Sequence, residues 1–195
     1  MSPIQEIEVL SDLIEQKFRD RLTPIHPAAT LPPPPSTSWN ALLPALLKRL
    51  IAVKNRAGNP RALARYLLLD ERDPRAVAQA LYLFGDCQYF AAAVAERYGL
   101  RDKIRHVVTG PFPGGHRHIV VQVDPDQYLD YGGIHCETDL KADYLDAISG
   151  REAALVQDRA LDPRPTDVPE AFDLARQALI EREKEADFGI RLYGW

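Results

Sequence analysis

Residues 116–133 read HRHIVVQVDPDQYLDYGG, and this stretch decides the fold class of the chain. Ile or Val occupies every second position of HIVVQV, which predicts a strand whose two faces meet different surroundings. The segment DPD is typical of a turn, and QYLDYGG predicts a second strand that returns beside the first. The predicted faces of the first strand are Ile119, Val121 and Val123 on one side and His118, Val120 and Gln122 on the other. An antiparallel sheet is therefore expected.

The length of the turn decides whether Asp130 faces the same side of this sheet as His118. If the loop holds two residues, Asp124 pairs with Gln127, and Asp130 then faces the opposite side. If the loop holds three residues, Val123 pairs with Gln127 instead. Asp130 then lies diagonal to His118, at roughly 7–8 Å, which the side chains can bridge. If both side chains belong to one site, the three-residue loop is therefore expected.

The segments around this hairpin indicate helices before the sheet and one helix after it. Residues 39–84 have a helical pattern, in which Asp73 is a typical N-cap and Pro74 a typical first helical residue. DKIRHVVTG, at 102–110, predicts a further strand, and residues 169–187 predict a helical tail. N-terminal helices followed by a small antiparallel β-sheet define an α+β domain with segregated layers.

The first 37 residues have a composition of their own. Ser2 to Gln5 has the form of a capping box, and apolar residues recur at helical spacing to about Leu22. TPIHPAATLPPPPSTS follows, and its four consecutive prolines favour an extended spacer over a ligand for a proline-binding module. We therefore expect a helical arm and proline-rich linker at 1–37 and the main domain at 38–195. The apolar stripe of the arm predicts docking onto the domain or onto a protein partner.

Bulk composition narrows the functional classes. The 195 residues carry a net charge of −4, which argues against a nucleic-acid-binding protein. Two cysteines make no disulfide framework and suit a reducing compartment. The acid-rich N-terminus does not resemble a secretory signal, and no apolar run approaches the roughly 18 residues that a membrane span needs. A cytoplasmic protein without a membrane or nucleic-acid partner is expected.

Residues 85–90, GDCQYF, place one of these cysteines where a helix is predicted to begin. Gly85 and Asp86 can turn the chain and cap the helix, so that Cys87 stands in its first turn. The free backbone N–H groups there favour a thiolate and can also bind a developing oxyanion. The alternative is an inert thiol that serves as a small core residue.

A nucleophilic thiol needs a base, and the predicted hairpin offers one. His118 begins the alternating strand, and Asp130 on the returning strand can orient its imidazole. His116 is the competing base, because it lies two residues away on the same predicted face. These positions together predict a Cys87, His118 and Asp130 triad.

A zinc site is the rival chemistry for the same region. His116, His118, His135 and one of the two cysteines are residue types that bind zinc. Their H-x-H and H-C spacings do not match zinc fingers, so no metal and no other cofactor is expected.

The order of these residues resembles that of papain-like cysteine hydrolases. GDCQYF is similar to the helix start of NlpC-type peptidoglycan peptidases, and HIVVQVDPDQYLD is similar to the His-to-Asp segment of transglutaminase-like domains. The resemblance covers about residues 84–134. It implies a papain-like fold with Cys87 as nucleophile, His118 as general base and Asp130 as the residue that orients the imidazole.

The chain departs from these families around the cysteine. NlpC-type enzymes usually have Ser-Gly after the cysteine, where this chain has Gln88 and Tyr89. Leu81 stands at the position where papain-like enzymes carry a glutamine. The candidates for a side-chain oxyanion donor are therefore Gln79, Tyr82 and Gln88.

The resemblance implies a thiol-dependent hydrolase or acyl transferase that acts on an amide bond of a peptide or protein. A peptidase, an amidase and a glutamine deamidase or transglutaminase all remain open. The alternative class is a protein-interaction module that retains the fold without catalysis.

Overall fold

The structure is a computed structural model that describes residues 3–19, 38–53, 66–110, 116–144, 153–157, 168–185 and 188. It forms two compact units, Met1–Asp86 and Cys87–Trp195. Six α-helices and a five-stranded antiparallel sheet occupy the described residues, so the predicted α+β class is confirmed. The expected boundary between residues 37 and 38 stays a prediction. None of the described helices is long and apolar enough to span a membrane.

The described part of the first unit contains three helices. They are α1 (Pro3–Arg19), α2 (Trp39–Val53) and α3 (Pro74–Phe84). Helix α3 begins as the sequence predicts, because the Asp73 carboxylate accepts a hydrogen bond from the Arg75 N–H at 2.9 Å and Pro74 is the first helical residue. Helices α2 and α3 pack against each other through apolar residues such as Leu46, Leu50, Val77 and Leu81.

Helix α1 packs against the rest of the first unit. Ile14 is fully buried, and Lys17 donates to the Leu67 carbonyl at 2.7 Å. Ile14 belongs to the predicted apolar stripe, whereas the exposed Val9 and Leu13 lie outside it. The predicted cap at Ser2 and the proline-rich segment at 23–37 lie outside the described residues.

The chain between α3 and Cys87 is held tightly within the first unit. A Cβ at Gly85 would lie 2.6 Å from a methyl group of Val53, so no larger residue fits there without a shift. The buried carboxylate of Asp86 accepts hydrogen bonds from the guanidinium of Arg49. This ion pair connects the residue immediately before Cys87 to helix α2.

The second unit contains the sheet. Its described elements are α4 (Cys87–Arg97), β1 (Ile104–Val108), β2 (His116–Asp124), β3 (Gln127–Asp130), β4 (Gly133–Cys136), α5 (Glu137–Asp143), β5 (Ala154–Val156) and α6 (Pro169–Arg182). The strands are antiparallel throughout and lie in the order β4-β3-β2-β1-β5. Helix α4 packs against the central strands and against α6, and eight of its eleven residues are buried. The apolar segment that begins at Cys87 therefore becomes the central helix of this unit.

The turn between β2 and β3 differs from the prediction. Asp124 pairs with Gln127, so the loop holds the two residues at 125–126. The expected three-residue loop, with Val123 opposite Gln127, was wrong. A two-residue turn is the commonest connection of a β-hairpin, and DPDQ adopts it here.

A β-bulge reverses the consequence of that shorter turn. The register shifts between Gln122 and Asp124, where Val123 is the additional residue on β2. One extra residue changes which face of the sheet the following positions occupy. Asp130 therefore lies on the face of His118, as expected, although the bulge and not the loop length brings it there.

The second half of the predicted strand QYLDYGG is a turn. Asp130 pairs with Gly133, and Tyr131 and Gly132 connect β3 to β4. Gly133 has a φ of 125°, a conformation that residues with a side chain rarely adopt. Strands β4 and β5 and helix α5 were not predicted from the sequence.

Candidate active site

Cys87 is the first residue of α4 and is 8% exposed. Its Sγ lies 3.7 Å from Oε1 of Gln88, the neighbouring side chain proposed as an oxyanion donor. The first N–H groups of a helix lack intrahelical acceptors, and they carry the positive end of the helix dipole. The thiol is thus held on a rigid element at a position that favours negative charge on sulfur and on a bound oxygen.

His118 lies on β2 opposite Val107, and its side chain is fully buried. Its Nε2 lies 2.9 Å from Oδ2 of Asp130. An ionised carboxylate can only accept a hydrogen bond, so Nε2 carries the hydrogen of this contact. Asp130 therefore selects the tautomer of His118 whose lone pair is on Nδ1.

The Nδ1 atom of His118 is buried and has no hydrogen-bond partner among the residues that the structure describes. Burial lowers the pKa of His118, but its interactions with Cys87 and its hydrogen bond to Asp130 outweigh burial and raise this pKa to about 10. The nitrogen left open by Asp130 is thus available to the thiol. A loose contact between nucleophile and base is usual in a site without substrate.

Asp130 is 5% exposed and accepts hydrogen bonds on both oxygens. Besides His118 at Oδ2, Nε2 of His135 and the backbone N–H of Gly132 lie 2.9 Å and 2.7 Å from Oδ1. Burial raises the pKa of this carboxyl, but the hydrogen bonds from the two histidines hold it well below its usual range. The carboxylate therefore stays ionised at neutral pH.

His135 also belongs to this cluster, although from the sequence it was a candidate only for zinc binding. It lies on β4 opposite Tyr128, which places it on the same face as Asp130 two residues further along β3. The hydrogen bond to Asp130 raises the pKa of His135, and partial burial opposes that change. A correct assignment of the turn at Tyr131 and Gly132 would have placed His135 here.

Tyr144 also contacts the site and was not predicted. Its ring stacks on the imidazole of His118, with centroids 5.1 Å apart and an interplanar angle of 13°. Tyr144 follows α5 and packs against a buried cluster of Val107, Val120, Tyr128, Leu140 and Ala153. Its position depends on tertiary packing, for which the sequence contains no local signal.

The remaining predicted site residues are placed as follows. Gln79 is exposed on α3, whereas Tyr82 is buried in the same helix of the first unit. His116 pairs with Val108, and a register shift separates this pair from that of His118. His116 was expected on the same face of the strand as His118, but the register shift interrupts the alternation between them. The His116 side chain lies outside the described residues.

A metal ion was the rival chemistry for this region of the sequence. Among the described residues, no three His, Cys, Asp or Glu side chains are arranged to bind one. Cys136 is exposed, and its Sγ accepts a hydrogen bond from the Asp139 N–H at the start of α5. His118 and His135 instead bind the two oxygens of Asp130.

Comparisons of the chain with models of protein families, with curated proteins and with solved structures found no match. The fold and site thus define an α+β protein with a helix-terminal cysteine, a buried histidine and a buried carboxylate. Its functional assignment depends on the geometry of these three residues and on the motifs that carry them.

Proposed function

We propose that the chain is a thiol-dependent hydrolase or acyl transferase that acts on an amide bond, with a papain-like arrangement of Cys87, His118 and Asp130. The observation that carries this proposal is the buried His118 imidazole, which has one nitrogen bonded to Asp130 and the other left open. Its Nε2 is committed to a buried carboxylate, and the charge on the cysteine sulfur helps to raise its pKa. A buried imidazole between a thiol and a carboxylate is the arrangement that nucleophilic catalysis requires.

The chemistry follows from these positions. The Cys87 thiolate attacks the carbonyl carbon, a C–S bond forms, and the carbonyl electron pair moves onto oxygen. The N–H groups of the first turn of α4 stabilise that oxyanion. His118 donates its Nδ1 proton to the leaving nitrogen as the C–N bond breaks, which leaves a thioester and a neutral imidazole.

The second half of the reaction uses the same groups. His118 accepts a proton at Nδ1 from the incoming nucleophile, which attacks the thioester carbonyl and expels the Cys87 thiolate. Water as nucleophile makes the protein a hydrolase, and an amine makes it a transferase. Peptide bonds, glutamine side chains and peptidoglycan stem peptides are all amides that this site can attack.

Asp130 supports both halves of the reaction without touching the substrate. Its carboxylate stabilises the protonated imidazole. Because it binds Nε2, the other ring nitrogen, Nδ1, faces away from Asp130. Since a reduced thiol is required, we place the reaction in the cytoplasm. Residues 1–37 remain the candidate region for a protein partner.

Selective modification of Cys87 tests this proposal, because the chain contains a matched control. Cys136 also stands at a helix start but is exposed, whereas Cys87 is buried. We expect iodoacetamide at pH 6 to modify Cys87 at least tenfold faster than Cys136, as measured by peptide mass mapping, because the proposed imidazole base assists the thiol of Cys87 alone. Acylating activity-based probes should label the wild type and not Cys87→Ala.

The non-catalytic alternative predicts the opposite order of reactivity. An inert core thiol reacts more slowly than an exposed one, because the reagent has to reach it. Faster modification of Cys136 than of Cys87 would therefore contradict the enzyme proposal and favour an interaction module.

A further inference from the structure

The carboxylate of Asp130 holds two imidazoles, one on each oxygen. His118 is bonded to Oδ2, and His135 is bonded to Oδ1, both at 2.9 Å. The terminal torsion of an aspartate side chain has a broad preference, so a bond to one oxygen alone leaves the plane of the carboxylate loosely defined. Bonds to Oδ1 are therefore what fix the direction in which Oδ2 accepts from His118.

The two histidines differ in their access to water. The His118 side chain is fully buried, whereas 26% of the His135 side chain is exposed. His135 lies on β4, at the edge of the described sheet, and His118 lies on a central strand. His135 is thus the member of the network that exchanges protons with solvent most readily.

The charged groups that act on His135 come from three elements. Asp130 on β3 and Asp143 on α5 favour its protonated form, and His118 on β2 opposes it. Protonation of His135 puts a positive charge on the far side of the carboxylate from His118. That charge weakens the attraction between the Asp130 carboxylate and the proton on Nε2 of His118.

Gly132 lies next to the hydrogen bond between Asp130 and His135. Its N–H donates to Oδ1 of Asp130, and a Cβ built on it would lie 3.1 Å from Oδ1 and 3.4 Å from Nε2 of His135. A methyl group here crowds both partners of the bond. Gly132→Ala therefore disturbs the contact between Asp130 and His135 although it removes neither side chain.

We propose that His135 is a positioning residue of the thiol site, which holds Oδ1 of Asp130 so that Oδ2 stays directed at His118. This inference rests on the proposed function, because it gives His135 a part in the same chemistry. Its exposure further makes His135 the residue through which the external pH changes the orientation and proton affinity of His118. It thus forms the outer end of a network that runs from Cys87 through His118 and Asp130.

The test measures the second-order rate constant for alkylation of Cys87 between pH 5 and pH 9, in a Cys136→Ser background. His135→Phe removes the donor to Oδ1, and we expect it to slow alkylation about three- to thirty-fold because one charge-assisted hydrogen bond is lost. His135→Gln keeps an N–H donor but does not titrate. We expect it to restore the rate to within about threefold of the wild type and to lack the wild-type inflection above about pH 6.5.

Gly132→Ala is the second variant, and it keeps the test valid if His135→Phe does not fold. It should slow alkylation in the same direction, by about two- to tenfold, since crowding weakens the bond without removing it. A merely structural role of His135 predicts changes in melting temperature but an unchanged pH profile in folded variants. That result would overturn the inference.

The failure of this inference is distinguishable from failure of the proposed function. If Cys87 reacts no faster than Cys136 in the unaltered chain, which contains both cysteines, the thiol is not activated and both proposals are wrong. If wild-type Cys87 is activated and folded His135→Gln and Gly132→Ala retain its rate and pH profile, only the role of His135 is wrong.

Discussion

The two cysteines of this chain both stand at the start of a helix, and the contrast between their surroundings is instructive. Cys87 begins α4, is buried, and lies beside the fully buried His118. Cys136 is the N-cap of the seven-residue α5, is exposed, and uses its Sγ to accept a backbone hydrogen bond from Asp139. The same residue type thus caps one helix and, as we propose, supplies the nucleophile on the other.

A position at a helix start is therefore not sufficient to define a thiol site. Both cysteines have free N–H groups nearby, as any first turn does. What distinguishes Cys87 is an imidazole whose other nitrogen is bonded to a buried carboxylate. His135, the histidine next to Cys136 in the chain, directs its Nε2 to Asp130.

The largest expected effect is the loss of the nucleophile. Cys87→Ala should lower turnover of an activated thioester substrate by about 10⁴- to 10⁶-fold, because the covalent intermediate can no longer form. Cys136→Ser should retain turnover within about twofold, since the hydroxyl can accept the same hydrogen bond at the helix start. Equal losses in the two variants would show that the contrast between the cysteines is not functional.

Removal of the base should have the next largest effect. His118→Gln should slow turnover about 10³- to 10⁵-fold, because the amide can contact Asp130 but cannot exchange a proton with the thiol or the leaving nitrogen. Circular dichroism and thermal melting check that this buried substitution leaves the fold intact. Activity close to that of the wild type in folded protein would mean that the base is another residue, and His116 is the first to test.

Loss of the Asp130 charge should have a smaller effect. Asp130→Asn keeps the shape of the side chain, and we expect turnover to fall about ten- to a thousand-fold. The loss should be smaller than that of a serine triad, since a thiolate and imidazolium already formed depend less on the carboxylate. Wild-type activity of this variant, together with an inactive His118→Gln, would reduce the site to a dyad.

The parts of this site that local patterns determine were predicted from the sequence. Gly85 and Asp86 precede an apolar segment, and this pattern predicted the helix start at Cys87. Alternation predicted that Ile119 and Val121 lie opposite in direction to His118. Residues at a helix start and alternation along a strand act over a few positions, so a single sequence is enough to identify them.

The parts that depend on tertiary structure could not be predicted. The bulge at Val123 depends on how β2 and β3 twist together, and it compensated for a turn whose length was wrongly expected. His135 joins Asp130 only through the pairing of β4, a strand of four residues after an unrecognised turn. Tyr144 reaches His118 through the packing of α5. Short edge strands and side-chain stacking leave almost no periodic signal.

The smallest effect that we predict is on the pH dependence of the free energy of unfolding. Substitution of Cys87 should change it, and substitution of Cys136 should not. His118 has a raised pKa of about 10 in the folded protein, so its contribution to stability is complete below about pH 6.5 and is lost as the pH rises through 10. Asp130 has a lowered pKa, so its contribution is present above about pH 4 and is lost in acid. The free energy of unfolding should therefore fall between pH 6.5 and pH 10 at a rate to which His118 contributes.

Urea unfolding at pH 6 and pH 9 measures that decrease. Cys87 is one source of the raised pKa of His118, so Cys87→Ala should make the decrease smaller, by less than about 1 kcal/mol because His118 stays largely protonated up to pH 9. Cys136→Ser should leave the decrease unchanged, because Cys136 is exposed and no contribution from it reaches His118. If the two variants change the pH dependence equally, the sulfur of Cys87 does not act on the imidazole, and the coupling on which the proposed thiol chemistry depends is absent.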